Sequence, residues 1–277
     1  MQPVSLDLGS PGKIDAALQG VDAVIHLAAR VHVMRDVAAD PLAQYRRVNT
    51  EGTLMLARAA AQRGAGRFVF LSTVKVNGER TTGGPFTDED PPAPADPYAV
   101  SKWEAEQGLA QIASDTGLKV LVLRPPLVYG PGVKGNFARL LRLAYSRVPL
   151  PLASIANSRS MIYVGNLASA IERALRVEPA AQGRFLLSDG ADLSTPQLVR
   201  MLGAAMGRPA RLFACPPRML AALGRALGKG DEVMRMIESL RVDCAGIKQQ
   251  LQWAVPFTID QGLKETADWF ARTRSGA

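Results

Sequence analysis

Val21-Asp22-Ala23-Val24-Ile25-His26-Leu27-Ala28-Ala29 is a near-continuous apolar run carrying β-branched residues. Such a run fits a strand of a parallel sheet covered on both faces, because a half-exposed strand would alternate apolar with polar. Two similar runs follow, Arg67 to Ser72 and Lys119 to Arg124. Between them the pattern turns helical. Residues 41–63 set Leu42, Tyr45, Val48, Leu54, Leu56 and Ala60 on an apolar side, and Gly64 and Gly66 stop the helix. Pro97 suits the first turn of a second helix, which Gly117 closes. A short helix over Ile14 to Leu18 precedes the first run, and residues 3–8 read as the end of a strand. Strands alternating with long helices predict an α/β fold, a parallel sheet with helices on both faces.

After residue 125 the regular alternation stops. Pro125-Pro126, Gly130-Pro131-Gly132 and Pro149-Leu150-Pro151 punctuate the chain. The expected division is 1–125 for the sheet and 126–277 mostly for a smaller mixed lobe over its mouth, with segments returning to the sheet. Ser194-Thr195-Pro196 reads as a helix start. Residues 218–227 and 231–240 read as amphipathic helices whose Met and Leu residues pack into the second lobe. A last helix runs from about Ile259 to Phe270.

With 47% hydrophobic and 21% charged residues, the 277-residue chain has an ordinary globular balance. No apolar run approaches the roughly 20 residues of a membrane span, and no signal peptide is visible, so the default location is cytoplasmic. Cys215 and Cys244 give neither a disulfide framework nor a metal spacing, and no metal is expected. A net charge of +8 raises three partners: nucleic acid, a membrane surface or an anionic small substrate. Nucleic acid is disfavoured, because the cations form no stripe interleaved with aromatics.

The chemistry points to Asp96-Pro97-Tyr98-Ala99-Val100-Ser101-Lys102. Tyr98 and Lys102 are four apart on one helix face. An ammonium there is expected to favour the phenolate and lower the tyrosine pKa from its usual value of about 10, making Tyr98 a proton donor and acceptor. Upstream, Leu71-Ser72-Thr73-Val74-Lys75-Val76-Asn77-Gly78 ends a strand, where open α/β sheets bind their ligands.

With His26-Leu27-Ala28-Ala29, Asn49-x-x-Gly52-Thr53 and Arg124-Pro-x-x-Val-Tyr129-Gly130-Pro131, these motifs resemble the extended short-chain dehydrogenase/reductase family over nearly the whole chain. More narrowly, the chain resembles the nucleotide-sugar epimerase/dehydratase branch, with a Rossmann-like doubly wound sheet. The resemblance implies Thr73, Tyr98 and Lys102 as catalytic residues and NAD or NADP as cofactor. It places Asp7, Leu8, Leu27, Ala28, Ala29, Asn49, Ser72, Tyr98, Lys102 and Pro125 at the cofactor. It places Lys75, Asn136 and Arg159 at a nucleotide-sugar substrate, with Arg159 matching a phosphate-pairing arginine. A homodimer through the helices at 41–63 and 97–116 is also implied, and those faces read equally well as core. The family's dehydratases carry Asp-Glu after the catalytic Thr, where this chain has Val74 and Lys75, so dehydration is rejected. The motifs look most like bacterial enzymes of surface-polysaccharide sugars, both UDP-sugar 4-epimerases and 4-keto reductases. Leu127 stands where the family often has Asn.

The family opens with a strand and Gly-x-x-Gly-x-x-Gly at a helix start, which lets backbone approach the pyrophosphate. Gly9, Gly12 and Gly20 do not have that spacing. The expectation is an N-terminally incomplete fold, through a miscalled start or a truncated gene. The strand at 21–29 would then lack a neighbour on one side. A non-catalytic remnant or interaction protein stands as the alternative function.

Overall fold

The structure, a computed structural model, describes residues 11–31 and 40–275. Helix α1 (Pro11–Ala17) leads into β1 (Ala23–His26). Then come α2 (Pro41–Tyr45), a π-helical segment (Arg46–Glu51) and α3 (Gly52–Gln62). Strand β2 (Arg67–Leu71), a 3-10 turn (Val74–Val76), α4 (Pro97–Thr116) and β3 (Lys119–Arg124) follow. The second half contains β4 (Leu127–Tyr129), α5 (Gly135–Tyr145), β5 (Arg159–Tyr163), α6 (Val164–Arg176), β6 (Gly183–Leu186) and β7 (Asp192–Leu193). Helices α7 (Thr195–Ala205), α8 (Pro217–Ala226), α9 (Gly230–Ile237), α10 (Ala245–Leu251) and α11 (Ile259–Ser275) complete it. None of the described helices is long and apolar enough to cross a membrane.

The main sheet is parallel in the order β1-β2-β3-β6, with Phe68 opposite Val120 and Val69 opposite Leu121. Successive side chains on a strand point to opposite faces. Phe68, Phe70, Val120 and Val122 therefore meet Leu56, Ala60, Ala105 and Leu109 from α3 and α4. Val69, Leu121 and Leu123 meet Leu167 and Ile171 of α6 and Ile247 of α10 on the other face. The Rossmann-like sheet expected from the apolar runs is thus present. A second sheet, β4-β5-β7, carries its own core around Tyr129, Phe137, Met161 and Leu263.

Strand β1 departs from the expectation of burial on both faces. Val24 and His26 are buried, but Ile25 is 42% and Leu27 53% exposed. Strand β1 pairs with β2 on one side and, among the described residues, with no strand on the other.

Local chemistry sets the ends of α4. The Asp96 side chain accepts from Ala99 N at 2.7 Å, Pro97 fills the first turn, and Gly117 closes the helix at φ 76°. Gly108 brings α4 close to α3, since a Cβ there would lie 2.5 Å from a Leu54 methyl. The Ser194–Gln197 capping box confirms the start read at 194–196. The helices read at 218–227 and 231–240 are present as α8 and α9, the second ending at Ile237, but α8 corrects the core assignment. Leu220 is its one buried large apolar residue, while Met219 and Leu223 face outward. Helix α9 does meet this second core, through Val233, Met236 and Ile237.

Candidate active site

The carboxyl ends of β1, β2 and β3 deliver Leu27-Ala28-Ala29, Ser72-Thr73 and Pro125 to one edge of the sheet. Past the strand end, Ser72 N donates to Leu123 O at 2.7 Å and Val74 N to Pro125 O at 3.0 Å, so the ladder carries Thr73 beyond β2. Thr73 is extended, and its Oγ1 accepts from Lys75 N at 3.3 Å, starting the 3-10 turn.

Tyr98, Lys102 and Glu106 follow one another at four-residue steps along α4. The Lys102 ammonium donates to Leu71 O at 2.8 Å and stands 4.4 Å from the Phe70 ring centroid. Ser72 Oγ donates to Glu106 Oε1 at 2.5 Å. Glu106 also pairs with Arg124, and Arg124 Nη1 donates to Asn77 Oδ1 at 3.0 Å. Lys102, Glu106, Arg124 and Asn77 are all buried. These contacts fasten the helix bearing Tyr98 to the strand end bearing Thr73.

The electrostatics correct one expectation. Tyr98 is not lowered; burial pushes its pKa up to about 12, and the charge of Asp96 and then Tyr45 add to the rise. Lys102 turns toward Leu71 O and the Phe70 ring. Its own pKa falls to about 8, because burial disfavours the ammonium more than Glu106 favours it. Lys75 is also drawn down by burial, but its bonds to the Asp96 and Glu79 carboxylates outweigh this and leave its pKa raised.

The other anticipated residues lie in different settings. Ala28 is exposed and Ala29 half-buried beyond β1, where small side chains leave the sheet edge open. Asn49 is fully buried. Its Oδ1 accepts from Arg30 N at 2.8 Å, and its Nδ2 donates to Arg30 O at 3.1 Å and Ser101 Oγ at 3.0 Å. Ser101 Oγ in turn donates to Tyr98 O at 2.8 Å. Asn49 therefore shapes the turn after β1 and ties it to the turn of α4 that holds Tyr98. Lys75 bridges Glu79 at 2.8 Å and Asp96, the cap of α4. Asn136 is exposed in the first turn of α5. Arg159 Nη1 donates to Arg235 O at 2.9 Å and Glu238 O at 3.0 Å, anchoring the end of α9. Asp7 and Leu8 lie outside the described residues. Glu106 and Ser101 were missed, although Glu106 continues the Tyr98–Lys102 step by four.

Residues 2–185 match the NAD dependent epimerase/dehydratase family. The chain belongs to that family. A UDP-glucose 4-epimerase of Vibrio cholerae is 42% identical over 271 residues, 97% of this chain and 83% of that protein. RMD from Pseudomonas aeruginosa, solved with NADPH, superposes with a TM-score of 0.77 at 25% identity, covering 98% of this chain and 88% of that one. A UDP-glucose 4-epimerase of Thermotoga maritima, solved with UDP-glucose, shares the fold at a TM-score of 0.77 and 24% identity, over 97% of this chain and 84% of that one.

As a member of the extended short-chain dehydrogenase/reductase class, nucleotide-sugar branch, this is an NAD(P)-dependent enzyme. The residues on the sheet edge fit the nicotinamide and ribose part of such a cofactor: two small residues, two hydroxyls and one buried ammonium converge there. Among the described residues no glycine-rich strand-to-helix turn precedes β1.

Proposed function

We propose that the chain acts on a UDP-linked nucleotide sugar as a 4-epimerase or 4-keto reductase of bacterial surface-polysaccharide synthesis. Bound NAD or NADP supplies the hydride acceptor or donor for sugar C4. Tyr98 Oη moves the proton on the C4 oxygen, and Thr73 Oγ1 hydrogen-bonds that oxygen. The observation that carries this reading is the double tether of α4 to the end of β2, Lys102 to Leu71 O and Glu106 to Ser72 Oγ. Ser72, Lys102, Leu27, Ala28, Ala29 and Pro125 line the cofactor side, while Asn136 is offered to the nucleotide diphosphate and Arg159, with Nη1 committed to Arg235 O and Glu238 O, has Nε and Nη2 left for a phosphate.

The raised Tyr98 pKa has a consequence for direction. A phenol held at about 12 is protonated at neutral pH and can give its proton to the more basic alkoxide that develops as a 4-keto sugar becomes a 4-hydroxy sugar. Taking a proton from the sugar requires positive charge near the phenol, which Lys102, turned toward Leu71 O and the Phe70 ring, would supply only by swinging back toward Tyr98. Water elimination is not part of the proposal. Val74 is buried and apolar, and Lys75 is committed to Asp96 and Glu79, so neither offers the acid/base pair that elimination needs.

NADH fluorescence titration of the purified chain is the first test, followed by two assays. Interconversion of UDP-glucose and UDP-galactose without added reductant marks an epimerase. NADPH consumption with a UDP-4-keto sugar marks a reductase. Folded protein that binds no dinucleotide and turns over neither substrate overturns the reading in favour of a non-catalytic remnant.

A further inference from the structure

Helix α8 turns its apolar side outward. Leu220 and Gly224 are buried, whereas Met219, Ala222, Leu223 and Ala226 are exposed on an adjoining arc of the helix. Met219 is 63% exposed and Leu223 57%. Leu227, just beyond the helix, is 64% exposed, and Phe213, in the segment that enters it, is 50%. A surface helix of a globular protein ordinarily lays its apolar stripe on the core. Single exposed leucines need no explanation, but a row of them on one helix and its flanks marks an interaction face.

The stretch of chain that carries this face has charge of one sign. From Leu193 to Gly230 the chain carries Arg200, Arg208, Arg211, Arg218, Arg225 and Lys229 and no Asp or Glu. Arg211, Arg218, Arg225 and Lys229 are exposed, and helical spacing puts Arg218 and Arg225 together along one flank of the apolar side. Asp231 and Glu232 follow in α9, where Glu232 is paired with Arg139 at 2.6 Å.

We propose that this face docks the protein on an anionic lipid bilayer, with α8 lying in the plane of the surface. Met219, Leu223 and Leu227 enter the headgroup–acyl boundary, and Arg211, Arg218, Arg225 and Lys229 meet the lipid phosphates. An apolar stripe flanked by cations is the pattern of an interfacial helix. A two-fold contact with a second copy is disfavoured, since it would set this cationic face against itself. The proposal does not depend on which sugar the enzyme takes.

Co-sedimentation of the full chain with vesicles tests it, using phosphatidylcholine alone and phosphatidylcholine with phosphatidylglycerol. The expected result is binding to the anionic vesicles that weakens as salt is raised. Arg218→Gln and Arg225→Gln should each weaken it about fivefold, and Met219→Gln with Leu223→Gln at least tenfold. Because these side chains are exposed, the variants should keep the thermal midpoint and the turnover of a soluble substrate. Absence of binding to anionic vesicles overturns the proposal. So does binding that Met219→Gln and Leu223→Gln leave unchanged, or a dimer in solution that Leu223→Gln dissociates.

Discussion

Glu106 of α4 and Arg124 of β3 form an ion pair that water does not reach, with Arg124 Nε donating to Glu106 Oε1 at 3.0 Å and both side chains buried. Ser72, next to Thr73, donates to the same carboxylate, and Lys102 stands one turn before it on the helix. The pair therefore sits where the strand end and the helix of the site must be held in register.

Removing either partner leaves a buried charge unmatched. Glu106→Leu or Arg124→Met alone should lower stability by about 3–5 kcal/mol in urea unfolding. The double variant replaces both charges with apolar groups and should recover most of that loss. Its kcat should stay low, because no contact then links Ser72 to α4 at this point. A double variant with wild-type kcat would mean that the pair serves stability alone.

Tyr98→Phe removes the proton-carrying oxygen and little else. Turnover should fall by about 10²–10⁴-fold, the usual size of a general acid–base contribution, with the circular dichroism spectrum and thermal midpoint retained. Thr73→Val should cost less, since it removes a hydrogen bond to the reacting oxygen and not the proton itself. Equal kcat in Tyr98→Phe and wild type would place the acid/base elsewhere.

Much of this arrangement was legible in the sequence, for definite reasons. The runs at 67–72 and 119–124 are buried on both faces and read as such, and Asp96-Pro97 with Gly117 marked the ends of α4. Strand 23–26 misled because an apolar run says nothing about what covers it; Ile25 is exposed here. Helix α8 misled in the same way, since periodicity finds an apolar stripe and not the direction it faces. The Lys102 effect on Tyr98 could not be read from spacing, because a lysine stem is long enough for its ammonium to reach Leu71 O instead.

Lys102 should leave an alkaline signature. Its pKa falls from 10.5 to about 8 on folding, so burial of the charged form is fully unfavourable below pH 8. Between pH 8 and 10.5 the unfolded chain binds the extra proton, and stability rises with pH. Lys102→Met should be more stable than wild type at pH 7, by on the order of 3 kcal/mol, and should lose that advantage by pH 10.5. Urea unfolding at several pH values measures the difference, and a constant gap would refute the assignment.

His26 should leave the acid counterpart. Thr53 Oγ1 donates to Asn49 O at 2.7 Å, so the bond between His26 and Thr53 at 2.9 Å is donated by His26 Nε2–H. Burial first, and then the charge of Lys102, pull the His26 pKa from 6.5 to about 4. A depressed pKa means that the unfolded chain takes up the proton first as pH falls. Stability attributable to this residue is therefore intact above pH 6.5 and is lost progressively toward pH 4, by on the order of 3 kcal/mol. His26→Gln keeps a donor for Thr53 and has nothing to protonate, so its stability should change less across that window. In Lys102→Met the neighbouring charge is gone, so the His26 pKa should be less depressed and the acid loss smaller, levelling off at a higher pH than in wild type. Parallel curves for wild type and His26→Gln from pH 6.5 to 4 would show that acid lability arises at other groups.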